Sequence, residues 1–393
     1  MVIQDPAASA TIPAMLDDLD PIWIDTRAGV DEAVAATKTA GWLALDTEAD
    51  SLHSYFHKMC LVQLTASDRN FVIDPLALES SDLRPLWEVV EDPSVHVLMH
   101  GSDYDIRVLD RDYETRIRGL VDTQIMAQIL GEAKTGLAAL LEKEEGVVLD
   151  KRHQRADWGR RPLTRSQVTY AAADTAFLER LATKLRDRLE ELGRWEWAVG
   201  DFRRLEEVRH RPAEPNPLAF ERIKGVRTLR GDARDRAYTL FEWRESEAQR
   251  LDIPPFKVLG NKTLITLAEE APEKNAELAE VGGIGPRFMR RWGKAVLLNI
   301  GQPNRAPEWK RAARHPEPPP RVVRRLKRLA AVRDEIAAEF GLDPGLVCAK
   351  SCALAVASRT PLCASFDDLK ETGLIGWRLD LLGQRFITAL ADE

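Results

Sequence analysis

The feature that most limits how this chain can fold is a set of three apolar, strand-like runs at residues 41–48, 59–65 and 70–74. Each is rich in Leu, Val, Ile or Phe and is separated from the next by a short polar turn, so together they read as an antiparallel meander. A helical pattern at 83–90 follows, then a strand at 95–99, a helix from about 102 to 112, and a short strand ending near Asp122. Beyond that point helical patterns dominate. Strands paired as hairpins and later alternating with helices predict a mixed α/β sheet flanked by helices. A helix containing Gln167 and Leu185 closes this domain, and residues 1–20, which lack periodicity, read as a flexible lead-in.

The rest of the chain is all-α in pattern and divides at the Pro-rich stretch 314–320. Its two parts repeat each other. Trp243-Arg244-Glu245 aligns with Val332-Arg333-Asp334 at an offset of 89 residues, and the same offset carries Ala248 to Ala337, Ile253 to Leu342, Val258 to Val347 and Pro272 to Pro361. Gly282-Gly283-Ile284-Gly285 has a looser echo in Gly373-Leu374-Ile375-Gly376. Apolar positions falling on apolar positions over such a span indicate a duplicated helical domain. The expected layout is a lead-in over 1–20, a sheet domain over 21–203, a charged linker over 204–231, a helical domain over 232–303, a Pro-rich linker over 304–320 and a second helical domain over 321–393.

Chemistry concentrates in the sheet domain. Side chains alternate along a strand, so Asp46 and Glu48 share one face at the end of the first run. Two acids on one face repel unless a cation lies between them. Alone, such a pair also fits a solvent-facing strand end. The strand at 95–99 leads into His100-Gly101-Ser102-Asp103-Tyr104-Asp105, which puts Asp105 in the first turn of a helix. The preference of acids for a helix N-terminus accounts for one of Asp103 and Asp105. Tyr170 and Asp174, four residues apart, occupy one helix face.

Composition narrows the classes. With 44% hydrophobic residues and no run of membrane-spanning length, the chain reads as a soluble globular protein rather than a membrane one. The N-terminus lacks a basic region followed by an apolar core, so no secretory signal is read there. Four cysteines are too few for a disulfide framework, which fits a reducing cytoplasm. Cys348, Cys352 and Cys363, with no neighbouring histidine, make a poor zinc site and read as packing residues; His53 and His57 fall in a strand connection and are not read as ligands. A net charge of −7 neither selects nor excludes a nuclease, since an acidic metal site coexists with local basic patches. No G-x-x-x-x-G-K-[ST] loop is present, which disfavours a helicase.

Taken jointly, Asp46-Thr47-Glu48, Asp105 and Tyr170/Asp174 resemble the three motifs of the DEDD exonuclease superfamily, in the subclass with a tyrosine in its third motif. The segment Ala156-Asp157-Trp158-Gly159-Arg160-Arg161-Pro162-Leu163, followed by Gln167 and Tyr170, resembles the approach to that motif in the ribonuclease D family. Trp243-Arg244-Glu245, residues 253–259 and Gly282-Gly283-Ile284-Gly285 resemble the HRDC domain, a helical module shared by ribonuclease D and RecQ-type helicases. The segment 321–393 resembles a second, divergent HRDC-like domain.

The resemblance implies an RNase H-like α/β exonuclease domain followed by two all-α HRDC-like domains, in a monomer. It implies hydrolysis of RNA from a free 3′ end to 5′-nucleoside monophosphates, with precursor tRNA as one expected substrate. It further implies two divalent ions, Mg²⁺ or Mn²⁺, held by Asp46, Glu48, Asp105 and Asp174; all-oxygen donors suit hard ions. Asp46 would bridge both ions, Glu48 and Asp174 would complete one site, Asp105 would hold the other, and Tyr170 would orient the attacking water. Arg161 is a weaker candidate for a substrate phosphate, against a structural salt bridge. Trp158 reads as packing and His100 as a structural hydrogen-bonder. In the first helical domain Lys257, Lys262, Arg287, Arg290, Arg291 and Lys294 suggest nucleic-acid contact, and the glycines at 282, 283 and 285 suggest a turn into a helix N-terminus. At the repeat offset Lys257 becomes Leu346 and Lys262 becomes Ser351, so the second copy is expected to pack against other domains. Two other readings stay open: a DNA 3′→5′ exonuclease, and a catalytically silent RNA-binding scaffold.

Overall fold

The computed structural model describes residues 19–149, 152–212, 219–308 and 317–391. Most of the lead-in, and parts of both expected linkers, lie outside the described residues. Those that are described fall into two compact units, one within residues 1–48, 59–210 and 315–393, the other within 49–58 and 211–314.

The first unit is built on a six-stranded sheet in the order β1-β4-β3-β2-β5-β6. The strands are β1 (Ile22–Ile24), β2 (Trp42–Ala49), β3 (Met59–Ala66), β4 (Arg69–Ile73), β5 (His96–Met99) and β6 (Leu120–Asp122). β3 and β4 pair antiparallel, with Val62 opposite Ile73, whereas β1–β4, β2–β5 and β5–β6 are parallel. The sheet is therefore mixed, as the sequence implied. Two elements escaped that reading, β1 and the helix α1 (Arg27–Ala40). β1 has only three residues, too few for an alternation to register, and the buried stripe of α1 is Val30, Ala33, Val34, Ala36 and Thr37, small side chains that give a weak apolar signal. A second difference concerns the connection after β2. It is no tight turn but the segment 49–58, which belongs to the second unit.

Around the sheet lie α2 (Ser80–Val90), α3 (Asp103–Tyr113), α4 (Thr123–Leu130), α5 (Leu137–Glu144), α6 (Arg165–Ala176), α7 (Leu178–Glu191) and α8 (Trp195–Glu206). The single closing helix expected through Gln167 and Leu185 is instead two. Phe177 ends α6 and begins α7 with φ −113° and ψ 0°, and its buried ring joins the core at the break.

The second unit contains α9 (Gly231–Leu251), α10 (Pro255–Val258), α11 (Asn261–Glu270), α12 (Asn275–Glu280) and α13 (Pro286–Gly301). Its core reaches back into the expected linker: Phe220, Ile223, Val226 and Leu229 are buried with Leu240, Leu264, Leu267 and Val296. These four stand at every third position among charged residues, a period that two single-turn 3₁₀ helices bury but that the overall charge disguised.

The C-terminal segment carries α14 (Pro320–Phe340), α15 (Pro344–Val347), α16 (Lys350–Ser358), α17 (Phe366–Glu371) and α18 (Trp377–Ala391), packed around Leu329, Ile336, Val356, Leu382 and Phe386. α14, α15 and α16 each begin 89 residues after α9, α10 and α11, and α17 and α18 begin 91 residues after α12 and α13. The helix spacing thus recurs between the two segments, and the extra two residues account for the looser glycine echo. This copy packs on the sheet domain. Trp377 stacks on Trp197 of α8 with centroids 4.8 Å apart and planes 8° apart, and Arg378 forks onto Asp201 at 2.7 and 2.9 Å. Leu346, the counterpart of Lys257, packs against the sheet-domain core. Among the described residues no helix is long and apolar enough to cross a membrane.

Candidate active site

β2 lies between β3 and β5, and its apolar residues Leu43, Ala44 and Leu45 are fully buried. Burial on both faces fixes its register, and its last residues emerge with Asp46 and Glu48 side by side. α6 delivers the third acid. Thr164 and Gln167 cap its start reciprocally, and Ala171, Ala172 and Ala173 are small enough for the helix to sit close to β3 and β4. Thr175 Oγ1 meets Thr65 Oγ1 of β3 at 2.8 Å. With α6 pinned this way, one carboxylate oxygen from each of Asp46, Glu48 and Asp174 lies within 4.8 Å of the others. Among the described residues this is the one group of three or more His, Cys, Asp or Glu side chains so arranged.

Asp105 is buried at the third position of α3, as expected from the sequence, and accepts a hydrogen bond from the Thr47 hydroxyl. It stands apart from the three-oxygen group, yet its charge still raises the pKa of both Asp46 and Glu48. Asp103, its neighbour, forks onto Arg107 at 2.9 Å and is the ordinary helix-start acid. Thr47 was overlooked in the sequence because a hydroxyl between two acids has no pattern of its own. Asp122 was seen only as a strand end. It is fully buried and accepts from Gly101 N, Ser102 N, Ser102 Oγ, Gln124 N and Ile125 N at 2.8–3.2 Å. It therefore ties the turn that launches α3 to the first turn of α4. The one visible hint was an Asp in N-cap position ahead of the apolar helix 123–130.

The acids are held against their ordinary ionisation. Burial, followed by the charges of Asp105, Asp174 and Glu48, pushes Asp46 well up from the carboxylate range. Burial, then Asp174 and Asp105, takes Glu48 to about 8. Burial takes Asp174 to about 7, and it takes Asp105 to about 6 against the opposing hydrogen bond from Thr47. Three converging carboxylates, with a fourth close enough to add its charge, either keep protons or are neutralised by a cation. Only oxygen donors are offered, which fits a hard divalent ion.

Tyr170 lies one turn before Asp174, its ring stacked on the buried Trp158 at 6.1 Å and edge-on to His153 at 5.8 Å. Trp158 is thus a brace for this helix. Arg161, the weaker phosphate candidate, is corrected to a structural role. Its Nε and one Nη grip both Oδ atoms of buried Asp74 at 2.6 Å, and the remaining N–H groups go to the carbonyls of Cys60, Trp158 and Arg160. All five donors are used within the fold. His100 is half-buried, with Nδ1 2.9 Å from Thr123 Oγ1, and burial lowers its pKa, in keeping with a structural part. In the second unit Lys257, Lys262, Arg287, Arg290, Arg291 and Lys294 are all exposed, and Arg291 lies over the Trp292 ring at 4.8 Å. Of the glycines, Gly283 has a steric reason: at φ +96° a Cβ would meet Thr263 Oγ1 at 2.4 Å.

A mixed sheet that brings acids from β2, α3 and α6 towards one end is the arrangement a metal-dependent nuclease requires. Residues 21–190 match the family described as 3′-5′ exonuclease, and residues 233–300 match the HRDC domain. The ribonuclease D of Granulibacter bethesdensis is 32% identical, covering 87% of this chain and 86% of that protein; that of Pseudomonas paraeruginosa is 32% identical, covering 94% and 97%. The crystal structure of Escherichia coli RNase D shares the fold at a TM-score of 0.62, with 24% identity over 95% of this chain and 99% of that one. The chain belongs to the ribonuclease D family, and it is a 3′→5′ exoribonuclease of a kind that uses divalent metal. The HRDC match covers the first helical domain only.

Proposed function

We propose that Asp46, Glu48, Asp105 and Asp174 hold two divalent ions, Mg²⁺ or Mn²⁺, and that this pair serves stepwise removal of 5′-nucleoside monophosphates from the free 3′ end of RNA. The observation that carries the reading is the three-carboxylate group of Asp46, Glu48 and Asp174, with Asp105 close enough to add its charge. Asp46 would help to hold both ions, Glu48 and Asp174 would complete the site of one, and Asp105, oriented by Thr47, would serve the other. When bound, the ions neutralise the acids and stabilise the attacking and leaving oxygens of an in-line displacement. The chain itself supplies position. Tyr170, braced by Trp158, holds the attacking water in line with the terminal phosphodiester, whose bond to the preceding 3′ oxygen breaks.

Lys257, Lys262, Arg287 and Arg291 bind the substrate backbone, and the C-terminal segment is a second HRDC-like domain turned to packing. The enzyme acts as a cytoplasmic monomer on RNA such as precursor tRNA. The deciding experiment compares Mg²⁺-dependent degradation of matched RNA and DNA oligonucleotides with free or blocked 3′ ends. Mononucleotide release from free-ended RNA is the expected result. Preference for DNA would replace the substrate, and cleavage of neither would leave a scaffold.

A further inference from the structure

The second unit presents an aromatic and basic face that the exonuclease chemistry does not use. Phe56 and Leu52, in the segment 49–58, are 62% and 47% exposed, and Phe256 of α10 is 59% exposed. Hydrogen bonds align the two pieces of chain: Asp252 accepts from Tyr55 N at 3.0 Å and Phe56 N at 2.9 Å, Tyr55 Oη accepts from Gln249 at 2.9 Å, and Lys257 Nζ lies 3.1 Å from His53 Nδ1. Asp252 is occupied by those two amides, and Asp50 accepts from Ser54 Oγ at 2.6 Å and Lys58 N at 2.9 Å. What faces outward is apolar ring surface beside cationic side chains.

The repeat shows what this face is for. In the C-terminal copy the counterparts of Phe256 and Lys257 are Gly345 and Leu346, and Arg378 Nε donates to the Leu346 carbonyl at 2.8 Å while its guanidinium grips Asp201. There the face is a docking surface, covered by the sheet domain. Arg378 corresponds to Arg287 at the 91-residue offset, as Leu346 corresponds to Lys257 at the 89-residue offset. The first copy carries a phenylalanine and a lysine where the second has a small and an apolar residue. Rings beside cations suit a polyanion with flat, unpaired bases, because bases stack on aromatic faces regardless of sequence while the cations meet phosphates.

We infer that Phe56 and Phe256, with Lys257 and Arg287, form a stacking platform for single-stranded RNA upstream of the 3′ end being degraded. The inference rests on RNA being the substrate and adds where its unpaired part is held.

The test measures binding of the full chain to a labelled unstructured 20-nucleotide RNA with EDTA present, which separates grip from cleavage. Phe56→Ala/Phe256→Ala together should raise Kd about tenfold or more. Phe56→Trp/Phe256→Trp should retain wild-type affinity, which mere loss of folding or of apolar surface does not explain. Lys257→Ala should lower the slope of log Kd against log salt by about one phosphate contact. Val323→Ala, an equally exposed apolar residue of α14, should change nothing. An unchanged Kd in the double alanine variant overturns the platform, as does equal loss in the tryptophan variant. If affinity responds as expected but wild type releases no mononucleotide from RNA, the platform stands and the exoribonuclease reading fails.

Discussion

Asp122→Asn is the sharpest test of how the Asp105 helix is held. The substitution changes one oxygen into an NH₂ and almost nothing in volume. Yet the five groups around this carboxyl are all used as donors to it: Gly101 N, Ser102 N, Ser102 Oγ, Gln124 N and Ile125 N. Only an acceptor-only group satisfies them all. With the amide nitrogen on the Ser102 side, the Ser102 hydroxyl can turn and accept, but the Ser102 amide is left facing a donor. With it on the other side, Gly101, Gln124 and Ile125 all lose their acceptor, including the cap of α4. The first choice is cheaper and leaves one orphaned donor, at about 1–3 kcal/mol, plus the loss of charge-assisted strength in the others. A total of roughly 2–4 kcal/mol is expected from urea unfolding. In Mg²⁺ titrations of RNA cleavage, the concentration for half-maximal rate should rise as well, since the turn that aims Asp105 is loosened. A destabilisation below about 0.5 kcal/mol with an unchanged Mg²⁺ curve would refute the reasoning.

Other expectations follow from the same geometry. Thr47→Val removes the hydroxyl that orients Asp105 and should lower kcat at limiting Mg²⁺ by about tenfold, about 1.4 kcal/mol of positioning, with circular dichroism unchanged; full activity would show the hydrogen bond to be incidental. Arg161→Ala should cost about 3–5 kcal/mol in urea unfolding, because Asp74 is left buried and unpaired, whereas Arg161 acting on substrate would instead appear as a raised KM in a stable protein. Without metal, the raised acids keep protons in the fold that the unfolded chain releases above pH 4, so the unfolded state binds fewer protons and stability must fall as pH rises towards about 8. The Tm in EDTA should accordingly fall between pH 5 and 8, and Mg²⁺ should raise it more at pH 8 than at pH 5. A Tm in EDTA that climbs over this range contradicts the raised acids.

The sequence carried the site further than it carried the packing. Asp46 and Glu48 could be paired from strand alternation, and Tyr170 with Asp174 from helical spacing, because both relations are local. That Asp174 actually meets β2 depends on Thr175 reaching Thr65, a contact across 110 residues that no periodicity announces. The same holds for Asp122, whose five donors come from two separate turns, and for Arg161, which pairs with Asp74 across 87 residues. The helical repeat was legible because duplication preserves spacing even where chemistry changes. The linker was misjudged for the opposite reason: Phe220, Ile223, Val226 and Leu229 are sparse among charges, and only the tertiary core reveals their purpose.

The central claim is that the acidic cluster is the seat of metal-dependent exoribonuclease chemistry. Its most direct test is single-turnover release of 5′-mononucleotides from a single-stranded RNA with a free 3′ end, in Mg²⁺, by wild-type and Asp46→Asn protein. The substitution removes the acid that shares the field of the other three while sparing the fold, which should if anything gain stability in EDTA at pH 8. The Asp46→Asn rate should be at least about a thousandfold lower, a barrier increase of about 4 kcal/mol. Release at the wild-type rate from the Asp46→Asn protein would contradict it.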